Sequence, residues 1–218
     1  MTARKPVLLD LFAGAGGAAV GYHWAGWRVI GVDNVWHRDY PFRLTVADVR
    51  TVMDWDLSRF DAIHASPPCQ RWALGTADPS RHPDLVTPIR KLLRHWRVPY
   101  VIENVPRAPL RDPIQLCGSA FGLRVWRHRR FESNVPLHGK ACRHNGRRPV
   151  GVYGSHPETR RYTRAWDGTE RGVRARSIES AQSAMGIDWM TQWEDLAEAI
   201  PPLYTEWIGR QLMKAYRS

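Results

Sequence analysis

Short apolar runs and stretches of helical periodicity alternate along the first half of the chain. Residues 7–12, 29–33, 44–49, 60–65 and 99–102 each have the length and content of a buried strand. Between them, residues 18–25 are small and helical in pattern, and residues 50–59 are short and amphipathic. Residues 84–96 predict a longer helix. Leu85, Ile89, Leu92, Leu93 and Trp96 recur near helical spacing, with Arg90, Lys91 and Arg94 opposite. Further on, residues 177–186 are helical (Ile178, Ala181, Ala184, Met185). Residues 189–196 start another helix, with Thr191 as N-cap and Glu194 three positions later, and residues 205–215 form a closing one. Strands separated by helices imply an α/β fold with a doubly wound, mostly parallel sheet that places ligands at the strand C-terminal edge.

The polar residues that punctuate this pattern fall at that edge. The first strand runs into Ala13-Gly14-Ala15-Gly16-Gly17 and a helix. Such glycines let the backbone turn tightly and approach a ligand, and the helix start offers free N–H groups. The second strand ends in Asp33, where a nucleotide-binding unit places its ribose-hydroxyl acceptor. Gly14, Gly16 and Gly17 are followed by Ala18 and Ala19, so the G-x-G-x-x-G order is absent. The turn could serve a dinucleotide or S-adenosylmethionine. Asp48 ends the third strand and either accepts from an adenine amino group or caps the next turn. Ser66-Pro67-Pro68-Cys69-Gln70 follows the fourth strand, where two prolines stop the ladder and leave Cys69 at a rigid exit. That thiol is either a nucleophile or a small buried residue. Glu103-Asn104-Val105-Pro106 follows the fifth strand.

Composition narrows the partners. A chain of 218 residues suits one α/β domain with a small appended lobe, and 43% hydrophobic residues can fill its core. The 32 Lys+Arg outnumber the 21 Asp+Glu, giving a net charge of +11, and nearly all the cations are arginine. Guanidinium groups suit phosphates and base edges, so a polyanion is the expected partner. The three cysteines, Cys69, Cys117 and Cys142, are odd in number and irregularly spaced, which argues against a disulfide framework. The start of the chain has no long apolar stretch or cleavage pattern, and no segment reaches the ~18 apolar residues of a membrane helix. A cytosolic, reduced protein with no membrane partner is expected.

Phe12-Ala13-Gly14-Ala15-Gly16-Gly17, then Pro67-Pro68-Cys69-Gln70, then Glu103-Asn104-Val105, in that order, resemble the cytosine carbon-5 DNA methyltransferase family. The ordered motifs cover roughly the first three-fifths of the chain. The ending Ile200-Pro201-Pro202-Leu203-Tyr204 and the small size look most like phage-encoded members. The resemblance implies a Rossmann-like class I S-adenosylmethionine-dependent methyltransferase, working as a monomer in the cytoplasm of a bacterial or phage-infected cell. Its substrate would be double-stranded DNA with a flipped cytosine.

The chemistry fits those residues. Carbon 5 of cytosine is a poor nucleophile, but a thiolate from Cys69 adding at carbon 6 makes an enamine that can attack a methyl sulfonium. Glu103 would donate at N3 of the ring. Amino-directed methyltransferases carry an aromatic where Cys69 stands, which favours the nucleophile. The resemblance also assigns cofactor contacts to Phe12, Gly14, Gly16, Gly17, Asp33, Asn34, Asp48, Val49 and Pro67. It assigns substrate contacts to Pro68, Gln70, Asn104 and Arg127. The family's Gln-x-Arg-x-Arg segment matches Val125 to Arg129, with Val125 in place of glutamine. Arg129 is therefore the expected cytosine and glutamate contact, with Arg130 as the alternative register.

Three regions follow: a catalytic and cofactor-binding domain over 1–131, a short DNA-recognition region over 132–180, and C-terminal helices over 181–218. The middle region interleaves Arg147, Arg148, Arg160, Arg161, Arg164, Arg171, Arg174 and Arg176 with Tyr153, Tyr162 and Trp166, which suits a loop-rich surface on nucleic acid. It is much shorter than the family's recognition domain. Ala197-Glu198 replaces the family's Gly-Asn ahead of the Pro-Pro pair. Cys117, His138, Cys142 and His144 show no zinc-ligand spacing, so no metal is expected. Two alternatives stay open: the same chemistry on RNA, and a non-catalytic DNA-binding protein that keeps the fold.

Overall fold

Both faces of the central sheet are covered, which is why its strands read as continuous apolar runs rather than alternating ones. The computed structural model describes residues 4–154 and 173–217. The strands of the main sheet are β1 (Val7–Leu11), β2 (Arg28–Asp33), β3 (Arg43–Val46), β4 (Ala62–Ala65), β5 (Tyr100–Asn104), β6 (Ile114–Leu116) and β7 (Arg129–Ser133). They lie in the order β3-β2-β1-β4-β5-β7-β6. The first five are mutually parallel, and β7 runs antiparallel to both β5 and β6. The expected doubly wound, mostly parallel sheet is present. Strand order reverses between β1 and β4, and the crevice at such a switch point is where open α/β sheets bind ligands.

Neighbouring residues on one strand feed opposite layers. Leu8 and Val101 pack with Tyr22 of α1 (Gly17–Trp24) and with Tyr204, Ile208 and Leu212 of α5 (Pro202–Arg217). Leu9, Leu11, Ile63 and Ile102 face the other way, onto Ile89, Leu92 and Leu93 of α2 (Val86–Trp96). The crossing of α1 and α5 depends on Gly21. A Cβ there would lie 2.0 Å from the Pro202 carbonyl oxygen and 2.1 Å from Thr205 Oγ1. Thr205 Oγ1 donates to the Ala18 carbonyl at 2.8 Å in the same contact.

A third cluster joins the C-terminal part to the sheet edge. It gathers Ala15, Val125 and Val152 with Ala181, Ala184 and Met185 of α3 (Ile178–Met185) and with Trp193 and Leu196 of α4 (Trp193–Glu198). Beside it β8 (Val150–Gly151) pairs in parallel with β9 (Val173–Arg174).

Four local expectations are corrected. Residues 50–59 form two 3₁₀ turns, Val49–Asp54 and Leu57–Arg59. Glu103 and Asn104 lie inside β5, not after it. Arg90 is on the buried face of α2, where it makes a bidentate pair with Glu132, both contacts at 2.7 Å. Thr191 is not the cap of α4: its N–H and hydroxyl donate to Asp39, and the helix begins after Gln192. The expected boundary at residue 131 falls within β7. Among the described residues no helix is long and apolar enough to cross a membrane. Arg160, Arg161, Tyr162, Arg164, Trp166 and Arg171 lie outside the described residues.

Candidate active site

Cys69 leaves β4 through Ser66, the buried Pro67 and the exposed Pro68. Its carbonyl accepts from the N–H groups of Trp72 and Ala73 at 2.8 and 2.9 Å, which closes a turn immediately after the thiol. Asn104 fastens this exit to the next strand. Its Nδ2 donates to the Pro67 carbonyl at 2.8 Å, and its Oδ1 accepts from the Val105 N–H at 2.9 Å. The amide is buried and bonded to the backbone, so Asn104 holds the Cys69 loop against β5.

Glu103, the neighbouring residue on β5, is buried and lies 3.0 Å from Arg129 Nε. Antiparallel pairing sets Glu103 opposite Phe131, so Arg129, two residues from Phe131, shares its face. Arg130 points elsewhere, toward Gln115, which resolves the register in favour of Arg129. Burial raises the Glu103 carboxyl above its ordinary value, against the opposing pull of Arg129, a Ser66 hydrogen bond and Arg127. A carboxyl so placed tends to hold its proton and can donate. Burial also raises the Cys69 thiol, while the Arg129 and Arg127 charges draw it down. The three groups therefore form one electrostatic unit.

A buried polar chain stands behind Glu103. Tyr22 Oη lies 2.9 Å from His64 Nδ1, and His64 Nε2 lies 2.8 Å from Ser66 Oγ. Burial holds His64 down at about 3, so it is neutral. With Nε2 protonated, Tyr22 donates to His64, His64 to Ser66 and Ser66 to Glu103, whose Oε1 faces the Arg129 guanidinium. Sequence reading missed this role for His64. The signal was a lone histidine in the apolar run Ala62-Ile63-His64-Ala65.

Arg127, expected at the substrate, is bonded to backbone carbonyls. Its φ is +34°, and its guanidinium donates to the carbonyls of Val152 (2.7 Å) and Ala197. It clamps the C-terminal helices to the sheet edge. Burial, with Arg129 adding to it, lowers this guanidinium to about 9.

The cofactor candidates surround the glycine turn. Phe12 has a φ of +60°, a strained value for an aromatic residue, at the end of β1. Gly16 is left-handed, and a Cβ there would meet Pro41 Cδ at 2.9 Å. At Gly17 a Cβ would lie 2.6 Å from the Ile200 carbonyl, so the segment around Ile200 does return to this turn. Trp189 Nε1 donates to the Ala15 carbonyl at 3.0 Å from the same side. Asp33 accepts from Gly14 N–H at 2.9 Å and Val35 N–H at 3.1 Å, tying β2 to the turn. Asn34 is exposed beside it.

Asp48 takes the second of its two readings. It caps the following turn through the Arg50 N–H and pairs with the Arg50 guanidinium, which lowers its carboxyl to about 2. The capping reading describes it, and an adenine contact would have to displace Arg50. Val49 is buried in the core, so only its backbone is available to a ligand.

Asp10 was missed altogether. It is wholly buried in β1, and neither carboxylate oxygen has a partner among the described residues. Burial, with Asp33 adding to it, raises its carboxyl well above the ordinary range. An acid inside an otherwise apolar strand was the available signal. Val35 and Trp36, exposed just beyond Asn34, were also passed over.

No protein-family model matches the chain. A 73-residue segment is 33% identical to the Type II methyltransferase M.FnuDI of Fusobacterium nucleatum, covering 30% of this chain and 21% of that enzyme. The alignment thus spans about a fifth of its curated relative. Among solved structures, an E. coli prophage-encoded protein described as a DNA modification methyltransferase superposes with a TM-score of 0.67 at 14% identity, over 98% of this chain and 100% of that one. Schizosaccharomyces pombe Dnmt2 gives 0.64 at 12%, over 99% and 100%. The likeness to methyltransferases holds in sequence over that 73-residue segment and in fold over nearly the whole chain. Methyltransferases of this fold use S-adenosylmethionine. The donor set here suits it: an orphaned buried acid, a glycine turn with helix N–H groups, and a second acid, Asp33, at the end of β2 beside that turn.

The structure also gathers residues that lie apart in the sequence. Cys117, His128, Cys142 and His144 bring their ligand atoms within 4.8 Å of one another. His138 is not among them; its backbone bonds to Gln211 and Trp207.

Proposed function

We propose that the chain transfers a methyl group from S-adenosylmethionine to carbon 5 of cytosine in double-stranded DNA. The observation that carries this reading is the buried Glu103–Arg129 pair sharing one field with Cys69 at the strand edge. Cys69 adds to carbon 6 of a flipped cytosine. Glu103 donates at N3, and Arg129 holds Glu103 in place and faces the carbonyl oxygen on carbon 2 of the base. Carbon 5 then takes the methyl group, its proton passes to solvent water, and the Cys69–carbon 6 bond breaks to restore the thiolate as N3 returns its proton to Glu103. The cofactor supplies the methyl sulfonium. Asp10, Phe12, Gly14, Gly16, Gly17, Asp33 and Asn34 hold it, with Val35 and Trp36 covering it from the β2 end.

Pro68 and Gln70, both exposed beside Cys69, meet the nucleotide, while the buried Pro67 shapes the loop from beneath. We assign catalysis and cofactor binding to 1–131, DNA recognition to 132–180, and closure of the cofactor pocket to 181–218, within a monomer. The test is transfer of labelled methyl to duplex DNA and to RNA, with the product nucleoside identified. 5-Methylcytosine in DNA supports the reading. Label in RNA alone transfers the chemistry to the other substrate, and label in neither overturns it.

Replacing Asp33 by alanine removes a charge-assisted acceptor and should weaken S-adenosylmethionine binding by roughly 1.5–3 kcal/mol, read by calorimetry. Tighter binding of NAD than of S-adenosylmethionine by the wild type would contradict the cofactor assignment. Arg147 and Arg148 line a groove of about 370 Å³ with Arg124 and Arg143. Neutralising Arg147 and Arg148 together should weaken binding to all duplexes alike. The salt dependence of binding should become shallower by ~0.9 in slope for each phosphate left unneutralised.

A further inference from the structure

The loop between β7 and β8 lacks the usual means of staying folded. Residues 138–148 include no buried side chain. Backbone hydrogen bonds tie them to the body of the protein at His138 and Arg143. Arg143 N–H donates to Ser119 Oγ at 3.0 Å, and His138 N–H to Gln211 at 2.8 Å. A segment without an apolar core needs another staple, and metal ions commonly supply it.

The side chains that converge on this loop have the chemistry of such a staple. Cys117 follows β6, His128 precedes β7, and Cys142 and His144 come from the loop itself. Cys117 Sγ lies 3.5 Å from His144 Nε2, and Cys142 Sγ lies 3.4 Å from His128 Nε2. Zinc bonds of ~2.3 Å to sulfur and ~2.05 Å to nitrogen give a tetrahedral S···N edge of about 3.6 Å. Both imidazoles present the same ring nitrogen. His144 is also fixed by stacking on Trp126 at 3.9 Å between centroids, and Cys117 is met by Ser119 Oγ at 3.1 Å. Two thiolates and two imidazoles make a closed donor set with no vacant position, the mark of a structural rather than a catalytic site.

We propose that Cys117, His128, Cys142 and His144 bind one zinc ion that staples the 138–148 loop onto β6 and β7. The site reaches the chemistry through His128, whose carbonyl accepts from Arg129 Nη1 at 3.0 Å. The staple therefore fixes the backbone from which Arg129 reaches Glu103, as well as the arginine-lined groove beside it.

The test uses the full chain purified under reducing conditions without chelator. Elemental analysis should find about one zinc per chain. Exchange with cobalt should give the ligand-field bands of a tetrahedral ion and a thiolate-to-cobalt charge-transfer band. Cys142→Ser and His144→Ala, both at the loop, should lose the metal and melt at the lower temperature of chelator-treated wild type. Readdition of zinc should restore the melting temperature of stripped wild type but not of either variant. Wild type with no more than a trace of zinc and no cobalt spectrum overturns the proposal, as does a Cys117–Cys142 disulfide in the reduced preparation. These wild-type readings decide the matter even if a variant fails to fold, and they do not depend on methyl transfer.

Discussion

Replacing Cys69 by serine should abolish methyl transfer, lowering the rate by ~10⁴-fold or more, while the fold stays intact. An alcohol is far less ionised than a thiol at neutral pH, and the turn closed by the Cys69 carbonyl does not use the side chain. Label transfer from S-adenosylmethionine measures the loss, and an unchanged thermal melt shows that the nucleophile, not the fold, was removed. A serine variant of wild-type activity would exclude covalent catalysis.

Glu103→Gln should cost ~10²–10⁴-fold in rate, the range for a positioned proton donor. The amide keeps the shape but cannot deliver the carboxyl proton. The pH profile separates this from simple disruption. In the wild type the rate should rise as the Cys69 thiol ionises and be cut back as Glu103 loses its proton; the glutamine variant should keep only the rise. Stability gives an independent reading. The folded-state value of Glu103 is raised by burial above the ordinary 4.5. The protonated form therefore stabilises the fold below that ordinary value, and the benefit is lost as pH rises through the raised one. Urea midpoints of wild type relative to Glu103→Gln should fall over the same interval. A flat difference would show that Glu103 is not held protonated by its site.

Much of the catalytic edge was legible because parallel strands bury both faces and so leave unmistakable apolar runs. The ends of those runs then pick out Asp33, Cys69 and Glu103 without knowledge of the third dimension. Arg129 was legible only through the resemblance, from the Arg-x-Arg spacing of residues 127–129. What escaped was set by partners distant in sequence. The bond from the Asn104 amide to the Pro67 carbonyl could not be read from the sequence. Nor could the convergence of the Val152 and Ala197 carbonyls on Arg127. Arg90 sits at a polar position of the helical pattern, yet Glu132 draws it inward. Asp10 and His64 were hidden by the opposite error: single polar residues inside apolar runs are easily passed over, although burying them has a cost that only a role offsets. The Cys117–His128–Cys142–His144 cluster has no local spacing to read, since its members meet only when β6, β7 and the following loop are folded together.

The most direct measurement of the proposed chemistry is the mass of the protein after incubation with S-adenosylmethionine and duplex DNA containing 5-fluorocytosine. Fluorine cannot leave carbon 5 as a proton does, so the adduct formed by methyl transfer cannot break down. Covalent catalysis predicts a stable protein–DNA species carrying the transferred methyl group, its cross-link mapping to the peptide that contains Cys69. Methyl transfer to ordinary cytosine with no such species, or a cross-link at Cys117 or Cys142, would contradict it.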